Sequence, residues 1–373
     1  MNNSKEDNAF LTKQIITYLG NKRNLLSFIG KAIRVVQKAE NKEKLDTFDV
    51  FSGSGIVSRY LKQFSNNLIT NDLENYSRTI NRCYLTNKSD INEQEEDKWL
   101  EYLRNNLTDD RLVNDGFIQE MYSPKDNNNI QNGERVFYTS RNAKYIDSAR
   151  KLIGKIPEPY QTLFLGNLLY EASTKTNTSG VFKGFYKNSQ TKIGQFGGNG
   201  HNALQRIMAN INIEKPILSN FECNVKVLQG DANVICREVP YVDLAYLDPP
   251  YNQHPYSSNY FMLNLINDYK KPLNVSKVSG IPTDWNKSAY NNKKLALDSL
   301  MDLCRNLKAK YILISFNNEG YIPYKEMVNN LKKLGDVRTF KHKYNVFRGC
   351  RNLKNRNKYT TEYLFLLNKE SYK

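Results

Sequence analysis

The four residues best suited to chemistry form one stretch, Asp248-Pro249-Pro250-Tyr251. The apolar run 242–247 stops at this acid and its prolines, which fix φ and end a sheet ladder, so the run is predicted to be a buried strand entering a rigid loop. The carboxylate of Asp248 and the carbonyl of Pro249 can both accept hydrogen bonds from one amino group, and the Tyr251 ring offers a stacking face. The stretch suits a planar heterocycle with an exocyclic amine, although a strand followed by a capped Pro-Pro turn explains it equally well.

A glycine-rich turn earlier in the chain is typical of a nucleotide site. Residues 47–51 read as a short buried strand, Ser52-Gly53-Ser54-Gly55 as a turn, and residues 56–61 as the start of a helix, the arrangement that cradles nucleotides in doubly wound sheets. Asp72 ends the next apolar run, 19 residues beyond Gly53, about the distance at which an acid takes a ribose hydroxyl pair. Turn and acid together indicate an adenosine-containing cofactor rather than a simple strand cap.

Two further segments carry chemistry with open alternatives. The cationic loop 18–23 precedes a helical pattern, so Lys22 either grips a carboxylate at a helix start or caps a solvated helix. Asp231 follows the predicted strand 225–228 after a glycine. Its carboxylate either bonds an adenine amino group or a ribose, or simply forms the turn.

The length and charge of the chain limit the classes of protein to which it can belong. The 373 residues can hold one large domain with an insertion, or two domains, and 54 Lys and Arg against 38 Asp and Glu give a net charge of +16. Such a basic chain predicts a polyanionic partner, with nucleic acid as the first candidate. No apolar run reaches about 18 residues, so neither secretion nor a membrane span is expected. Five scattered cysteines indicate a reduced, cytoplasmic chain, and three separated histidines indicate chemistry that needs neither metal nor histidine.

A long stretch in the middle of the chain, up to residue 220, has the pattern of an inserted module. Helices are predicted near Trp99–Leu107, Ala143–Ile153 and Tyr160–Ala172. No acid occurs between Glu171 and Glu214, where cations alternate with Phe182, Phe185 and Phe196, as phosphate neutralisation and base stacking require. A solvated basic loop with core aromatics is the alternative. The candidate DNA-binding cations here and between the two predicted terminal strands are Lys175, Lys183, Lys187, Lys192, Arg348 and Arg351.

The chain resembles the Dam-like DNA adenine N6-methyltransferases through four motifs that occur in that family's order. These are Tyr18-Leu19-Gly20-Asn21-Lys22, Phe51-Ser52-Gly53-Ser54-Gly55, Asp72 and Asp248-Pro249-Pro250-Tyr251. The resemblance spans roughly Thr12–Tyr84 and Phe221–Leu367, and the stretch between is matched by position only, as the family's target recognition region.

The resemblance implies an α/β fold: a Rossmann-like S-adenosylmethionine-dependent methyltransferase sheet with an inserted, mainly helical target-recognition domain. Residues 1–84 and 221–373 are expected to form the catalytic domain and residues 85–220 the DNA-recognition domain. By resemblance, the first residue of the Asp248 motif favours adenine, whereas the related cytosine N4 enzymes usually begin that motif with serine. The residues implied at the S-adenosylmethionine site are Tyr18, Lys22, Phe51, Gly53, Gly55, Asp72, Asp231 and Asp248.

The implied chemistry is direct transfer of a methyl group to the N6 amine of an adenine extruded from duplex DNA. Asp248 and the Pro249 carbonyl would accept from the amine while Tyr251 stacks on the base, with Pro250 stiffening the loop; Tyr260 or Phe261 is expected to cover the other face. A cytoplasmic bacterial or phage-encoded enzyme, with or without a cognate restriction endonuclease, is the context this implies. A catalytically silent DNA-binding regulator, or a methylase of RNA or cytosine N4, is the alternative.

Overall fold

One seven-stranded sheet organises the α/β half of the protein, whose computed structural model describes residues 5–253, 255–345 and 359–372. The predicted strands are confirmed, and their ends lie within a few residues of the apolar runs that predicted them. The strands are β1 Leu45–Asp49, β2 Ser65–Thr70, β3 Asn224–Val227, β4 Val242–Leu247, β5 Ala309–Asn317, β6 Asp336–Asn345 and β7 Tyr359–Asn368.

The strand order is β3-β2-β1-β4-β5-β7-β6. The first five strands in this order pair in parallel, whereas β7 runs antiparallel to both β5 and β6. The parallel strands therefore end at one edge of the sheet. The chain winds outward from β1 in one direction to β2 and β3 and in the other to β4, so the strand order reverses between β1 and β4, where open α/β sheets bind ligands.

Fourteen helices are assigned within the described residues. The three helices predicted in the insertion are confirmed, each beginning at or a few residues before the predicted start. The helices are α1 Asn8–Thr12, α2 Leu26–Glu40, α3 Ile56–Lys62, α4 Asn75–Tyr84, α5 Glu93–Asn106, α6 Phe117–Tyr122, α7 Ser140–Ile153, α8 Tyr160–Thr174, α9 Leu204–Met208, α10 Ala232–Ile235, α11 Tyr256–Asn259, α12 Phe261–Asp268, α13 Ala296–Asn306 and α14 Tyr324–Leu331.

The chain divides into two compact units, which we call the sheet unit and the helical unit. The sheet unit comprises Lys22–Glu74, Phe221–Pro255 and Lys287–Lys373. Every residue of β4 is buried, as is typical of a parallel strand covered on both faces. Phe48 and Ala245 share one core with Leu300 of α13 and Met327 of α14. This packing fixes the strand ends that carry the candidate site.

The helical unit comprises Met1–Asn21, Asn75–Asn220 and Tyr256–Asn286. It is larger than the expected insertion of residues 85–220. The reason lies in the core: Tyr76 and Ile80 of α4 and Phe261 of α12 pack in the same hydrophobic cluster as Leu168 of α8. Apolar faces outside the insertion therefore belong with it. No helix among the described residues is long and apolar enough to cross a membrane.

A close approach between α4 and α8 yields a stability prediction. Gly166 lies in α8, and a Cβ placed on it would overlap Cβ and Sγ of Cys83 in α4. Gly166→Ala is therefore expected to lower the free energy of unfolding by about 1–3 kcal/mol, despite the better helix propensity of alanine. Thermal unfolding followed by circular dichroism measures the loss.

The matched control is Gly184→Ala, because no heavy atom of the described residues lies within 4 Å of its added Cβ. This control should leave the unfolding temperature unchanged, and adding Cys83→Gly to Gly166→Ala should recover part of the loss. Equal stability of Gly166→Ala and wild type would contradict the close approach.

Candidate active site

Asp248 lies where β4 leaves the sheet, beside the end of β1. The backbone N–H of Val50 donates to the carbonyl of Tyr246 at 3.0 Å, which extends the β1–β4 pairing to the last residues of both strands. Pro249 is buried and Pro250 half-buried, so the loop is held by packing as well as by its fixed φ angles. The Asp248 side chain is consequently held at the point where the strand order reverses.

A lysine from another part of the chain reaches this carboxylate. Lys22 precedes the short turn that leads into α2, and its Nζ lies 3.0 Å from Oδ1 of Asp248 and 3.4 Å from Oε1 of Glu362. Lys22 is 4% exposed and Glu362 is 1% exposed, whereas Asp248 retains 19% exposure. One buried ammonium is therefore shared by two carboxylates, of which only Asp248 keeps contact with solvent.

The shared charge shifts the protonation of both partners. Burial opposes the charged form of Lys22, but attraction to Asp248 and Glu362 outweighs it and raises the pKa of Lys22 well above its usual value. Burial raises the pKa of Asp248 to about 6; Lys22 acts in the opposite direction and the negative charge of Glu362 adds to the rise. At neutral pH the ammonium is charged and Asp248 is mostly ionised, with its titration close to the physiological range.

Glu362 is a site residue that the sequence did not reveal. It lies in β7 opposite Asn317 of β5, and its Oε1 accepts a hydrogen bond from Ser315 Oγ at 2.7 Å. The only sequence signal was an acid immediately before the apolar run 363–367. Glu362 faces Lys22 only because β7 is inserted antiparallel beside β5.

Asp49, the last residue of β1, is a second acid that was missed. It is fully buried, and its Oδ2 accepts from Ser58 Oγ at 2.6 Å. Its Oδ1 has no hydrogen-bond partner among the described residues. Burial raises the pKa of Asp49 to about 7, with further contributions from the charges of Asp248 and Asp72. An orphaned, buried carboxylate oxygen is a place for an external donor or cation.

The glycine turn and Asp72 are in direct contact, and the predicted contact of Asp72 with a ribose remains a prediction. The backbone N–H of Gly53 donates to Oδ2 of Asp72 at 2.7 Å, and the N–H of Glu74 donates to Oδ1 at 3.0 Å. Gly53 and Gly55 have φ angles of 50° and 75°, a region that favours glycine, so the turn requires both. Asp72 therefore braces the turn that leads into α3.

Phe51 and Asp231 line the same edge of the sheet. Phe51 is half-buried and meets the ring of Tyr290 edge-on at 5.1 Å. Asp231 is exposed and caps α10, its carboxylate accepting from the N–H of Asn233 at 2.8 Å. The turn-forming role weighed for Asp231 is thus present, and its contact with a cofactor remains a prediction.

Tyr251 is half-buried within the site. Its ring meets Phe316 edge-on at 5.8 Å, and the Nζ of Lys22 lies 5.7 Å from its centroid. Burial raises the pKa of Tyr251, so its phenol stays neutral. No group of three or more His, Cys, Asp or Glu side chains in the described ranges is arranged to hold a metal ion.

Tyr18 belongs to the helical unit. Its ring stacks with those of Tyr256 and Tyr260 at centroid distances of 4.9 and 4.6 Å, and its hydroxyl lies 3.2 Å from that of Tyr76. Tyr260 is completely buried and Phe261 is 2% exposed. The prediction that Tyr260 or Phe261 covers a face of the target base is therefore wrong, because both rings are committed to the core.

The predicted DNA-binding lysines differ in availability. Lys183 and Lys192 are exposed, whereas Lys175 is paired with Glu171 at 2.6 Å and Lys187 lies over the ring of Phe185. Arg348 and Arg351 lie outside the described residues. The aromatics Phe182 and Phe196 are 2% and 8% exposed, so the prediction that they stack on bases is wrong and the core alternative is right.

Comparison with known proteins agrees with this geometry. The family of D12 class N6 adenine-specific DNA methyltransferases matches residues 18–330, which include most of both units and the Asp248 motif. The chain belongs to this family. The family is one of enzymes, and the resemblance in the motifs is thereby confirmed.

Individual relatives are modification methylases. The chain is 28% identical over 365 residues to the type II methyltransferase M.NlaIII of Neisseria lactamica, covering 95% of this chain and 99% of that protein. It is 28% identical to M.CviAII of Paramecium bursaria Chlorella virus 1, covering 86% and 89%. It is 29% identical to modification methylase LlaI of Lactococcus lactis subsp. lactis, covering 84% of this chain but only 48% of that protein. The chain thus spans about half of LlaI and nearly all of M.NlaIII.

The raised pKa of Asp49 makes stability depend on pH. The native state holds the Asp49 proton up to about pH 7, but the unfolded chain loses it near pH 3.8, so unfolding becomes easier as pH rises through that window. Asp49→Asn removes this dependence, which amounts to about 4 kcal/mol at most. Its unfolding temperature relative to wild type should therefore rise between pH 4 and pH 7.

Differential scanning calorimetry across that range measures the effect. Asp284→Asn, which removes an exposed acid, is the control and should track wild type at every pH. A difference between Asp49→Asn and wild type that stays constant with pH would mean that Asp49 is ionised throughout.

Proposed function

We propose that this chain transfers a methyl group from S-adenosylmethionine to N6 of an adenine in duplex DNA, at a specific sequence, with the base turned out of the helix. One observation carries the proposal. The carboxylate of Asp248, which Lys22 neutralises only in part, is followed directly by the Pro249 carbonyl, at the point where the strand order reverses. Two neighbouring acceptors suit one amino group, and the family match supports adenine as the base that bears it.

The cofactor's chemistry fits the residues at this edge. Asp49 and Glu362 each carry a buried oxygen without a hydrogen-bond partner among the described residues, and Lys22 is the cation that Glu362 shares with Asp248. Such an acidic surplus favours a positively charged ligand. Bound there, S-adenosylmethionine would supply an electrophilic methyl group on its sulfonium. The residues proposed to hold it are Tyr18, Lys22, Phe51, Gly53, Gly55, Asp72, Asp231 and Asp248.

The protein's own contribution is orientation and charge. Asp248 and the Pro249 carbonyl accept hydrogen bonds from the two N–H groups of the amine, which draws its lone pair out of conjugation with the ring. Asp248 performs this role as a carboxylate, and its pKa of about 6 makes it an acceptor for the proton that the methylated amine releases. Tyr251 would stack on the extruded base and offset part of the few kcal/mol that extrusion costs.

The helical unit is proposed to contact the DNA. A net charge of +16 favours a polyanion, and Lys183 and Lys192 present exposed cations on an acid-free segment of this unit. The relatives are named as a modification methylase or as type II methyltransferases, which supports action beside a cognate restriction endonuclease in a bacterial or virus-infected cytoplasm.

A direct assay tests the reaction and its rivals. The purified chain is incubated with tritiated S-adenosylmethionine and genomic DNA from a methylation-deficient host, and the digested nucleosides are separated. Label in N6-methyldeoxyadenosine supports the proposal. Label in N4-methyldeoxycytidine, label in RNA alone, or binding to DNA without label would each replace it, the last with a silent regulator.

Removal of the Asp248 charge should abolish turnover. Asp248→Asn keeps the shape but replaces an acceptor by a donor facing the amine, so kcat should fall about 100-fold or more while the protein stays folded. In wild type, kcat should fall as pH drops through about 6, because Asp248 is then protonated. Single-turnover kinetics measure both effects.

Asp298→Asn serves as the control, because Asp298 is an exposed acid in the first turn of α13. It should retain wild-type rates at every pH. Activity of Asp248→Asn within a few-fold of wild type would remove Asp248 from the reaction.

Exposed lysines should contribute to affinity for DNA in a salt-dependent way. The double variant Lys183→Ala/Lys192→Ala should weaken binding to any duplex and reduce the slope of log K against log salt by about 2, as two lost phosphate contacts require. Fluorescence anisotropy with a labelled duplex measures this slope. Lys175→Ala is the matched comparison and should change it less, because Lys175 is already neutralised by Glu171. An unchanged slope in the double variant would place the DNA elsewhere.

A further inference from the structure

Glu362 is a buried, charged residue that the proposed reaction does not itself use. It is 1% exposed, lies in β7, and has one carboxylate oxygen that contacts both Lys22 and Ser315. Burial of a carboxylate is costly, and a single lysine already has a partner in Asp248. A fold that needed only to neutralise Lys22 would not require the second acid.

Of the two carboxylates that contact Lys22, that of Glu362 is held more rigidly. Ser315 Oγ donates to Glu362 at 2.7 Å from the neighbouring strand β5, and both residues are buried within paired strands. Asp248, by contrast, lies in a loop and is 19% exposed. Lys22 is thus held from the β7 side by a rigid acceptor and meets Asp248 from one direction only, at Oδ1.

Sharing the ammonium changes what Asp248 can do. If Asp248 were the sole partner of Lys22, the ammonium would direct its N–H donors and its full charge to Asp248. The Asp248 carboxylate would then have little capacity left to accept other hydrogen bonds. With Glu362 present, one cation faces two anions, so Asp248 keeps uncompensated negative charge and acceptor capacity on its exposed side.

We propose that Glu362 is a positioning residue of the methyl-transfer reaction, which holds Lys22 away from exclusive pairing with Asp248 so that Asp248 remains an acceptor for the substrate amine. The inference rests on the proposed function, because it assigns Glu362 a role through Asp248. It concerns the charge balance of the site and adds no contact between Glu362 and substrate.

The test uses Glu362→Gln, which keeps the shape and removes the charge, in the full chain. The negative charge of Glu362 contributes to the raised pKa of Asp248, so its loss should lower that pKa. The acid limb of kcat against pH should then move to lower pH by about 0.5–1 unit, and the plateau kcat should fall about 10-fold as Lys22 pairs wholly with Asp248. The other titratable groups that face Asp248 are unchanged in the variant: Lys22, Asp49, Tyr246 and Tyr251.

Two further variants separate charge from structure. Glu362→Asp restores the charge, so its acid limb should return towards that of wild type even where its rate does not. Glu370→Gln removes another carboxylate of the C-terminal segment, one that pairs with Lys310 at 3.3 Å, and should leave rate and profile unchanged. If Glu362→Gln fails to fold, the pH profile of Glu362→Asp tests the inference instead. The shorter side chain moves the carboxylate away from Asp248, so the acid limb should shift in the same direction as expected for Glu362→Gln, but by less.

The outcomes are distinguishable from failure of the proposed function. Tritiated S-adenosylmethionine and methylation-deficient genomic DNA are the probes, and a wild-type chain that labels no adenine would overturn the function itself. An active wild type together with a Glu362→Gln variant that loses rate without any shift of the acid limb would make Glu362 purely structural. An unchanged rate and an unchanged limb would also overturn the inference.

Discussion

Burying an ammonium group is costly unless opposite charge lies within contact distance, and Lys22 meets this condition with two carboxylates at 3.0 and 3.4 Å. The three residues come from the segment before α2, the loop that follows β4 and the end of the β5–β7 ladder. Their ion pairs therefore join parts of the chain that are remote in sequence. Displacement of Lys22 would leave Glu362 buried without its counter-charge, so the segment before α2 and strand β7 depend on each other's position.

The same edge of the sheet carries a charge opposite to that of the whole chain. The protein is strongly basic, yet Asp49, Asp72 and Asp248 follow or end β1, β2 and β4, and Glu362 adds a fourth acid from β7. Charges at the surface are screened within about 8–10 Å in physiological salt, so a basic exterior and an acidic site can coexist. The exterior favours a polyanion, and the local acids favour a cation. The proposed methyl donor carries a sulfonium and the proposed duplex carries phosphates, so the proposed function would need both kinds of charge on one chain.

The sequence predicted what depends on local pattern. Apolar runs predicted the buried strands, and the spacing of Gly53 and Asp72 predicted that both belong to one nucleotide site, because a strand, a turn and a helix have nearly fixed lengths in a doubly wound sheet. The backbone nitrogen of Gly53 and Oδ2 of Asp72 lie 2.7 Å apart, and the contact of the two residues with a nucleotide remains a prediction. The pairing of Lys22 with Glu362 was not predictable in this way, since it requires the register of an antiparallel strand 340 residues away.

The aromatic residues were also ambiguous: Phe182 and Phe196 alternate with lysines as in a nucleic-acid surface, but they pack in a core. Composition alone does not distinguish a ring that faces a base from one that faces a helix.

Lys22 illustrates how a motif locates a residue without giving the direction of its side chain. Its position before a helix left open whether it grips a carboxylate or caps a solvated helix, whereas in the structure it is 4% exposed and its ammonium contacts the carboxylates of Asp248 and Glu362. An unpaired ammonium at this place would repel a sulfonium. Paired with two carboxylates, it becomes part of a group with one surplus negative charge, which attracts a sulfonium and still leaves Asp248 an open side. In the proposed reaction, Glu362 would therefore make a buried lysine compatible with a cationic methyl donor, although little in the sequence indicated that this acid belongs to the site.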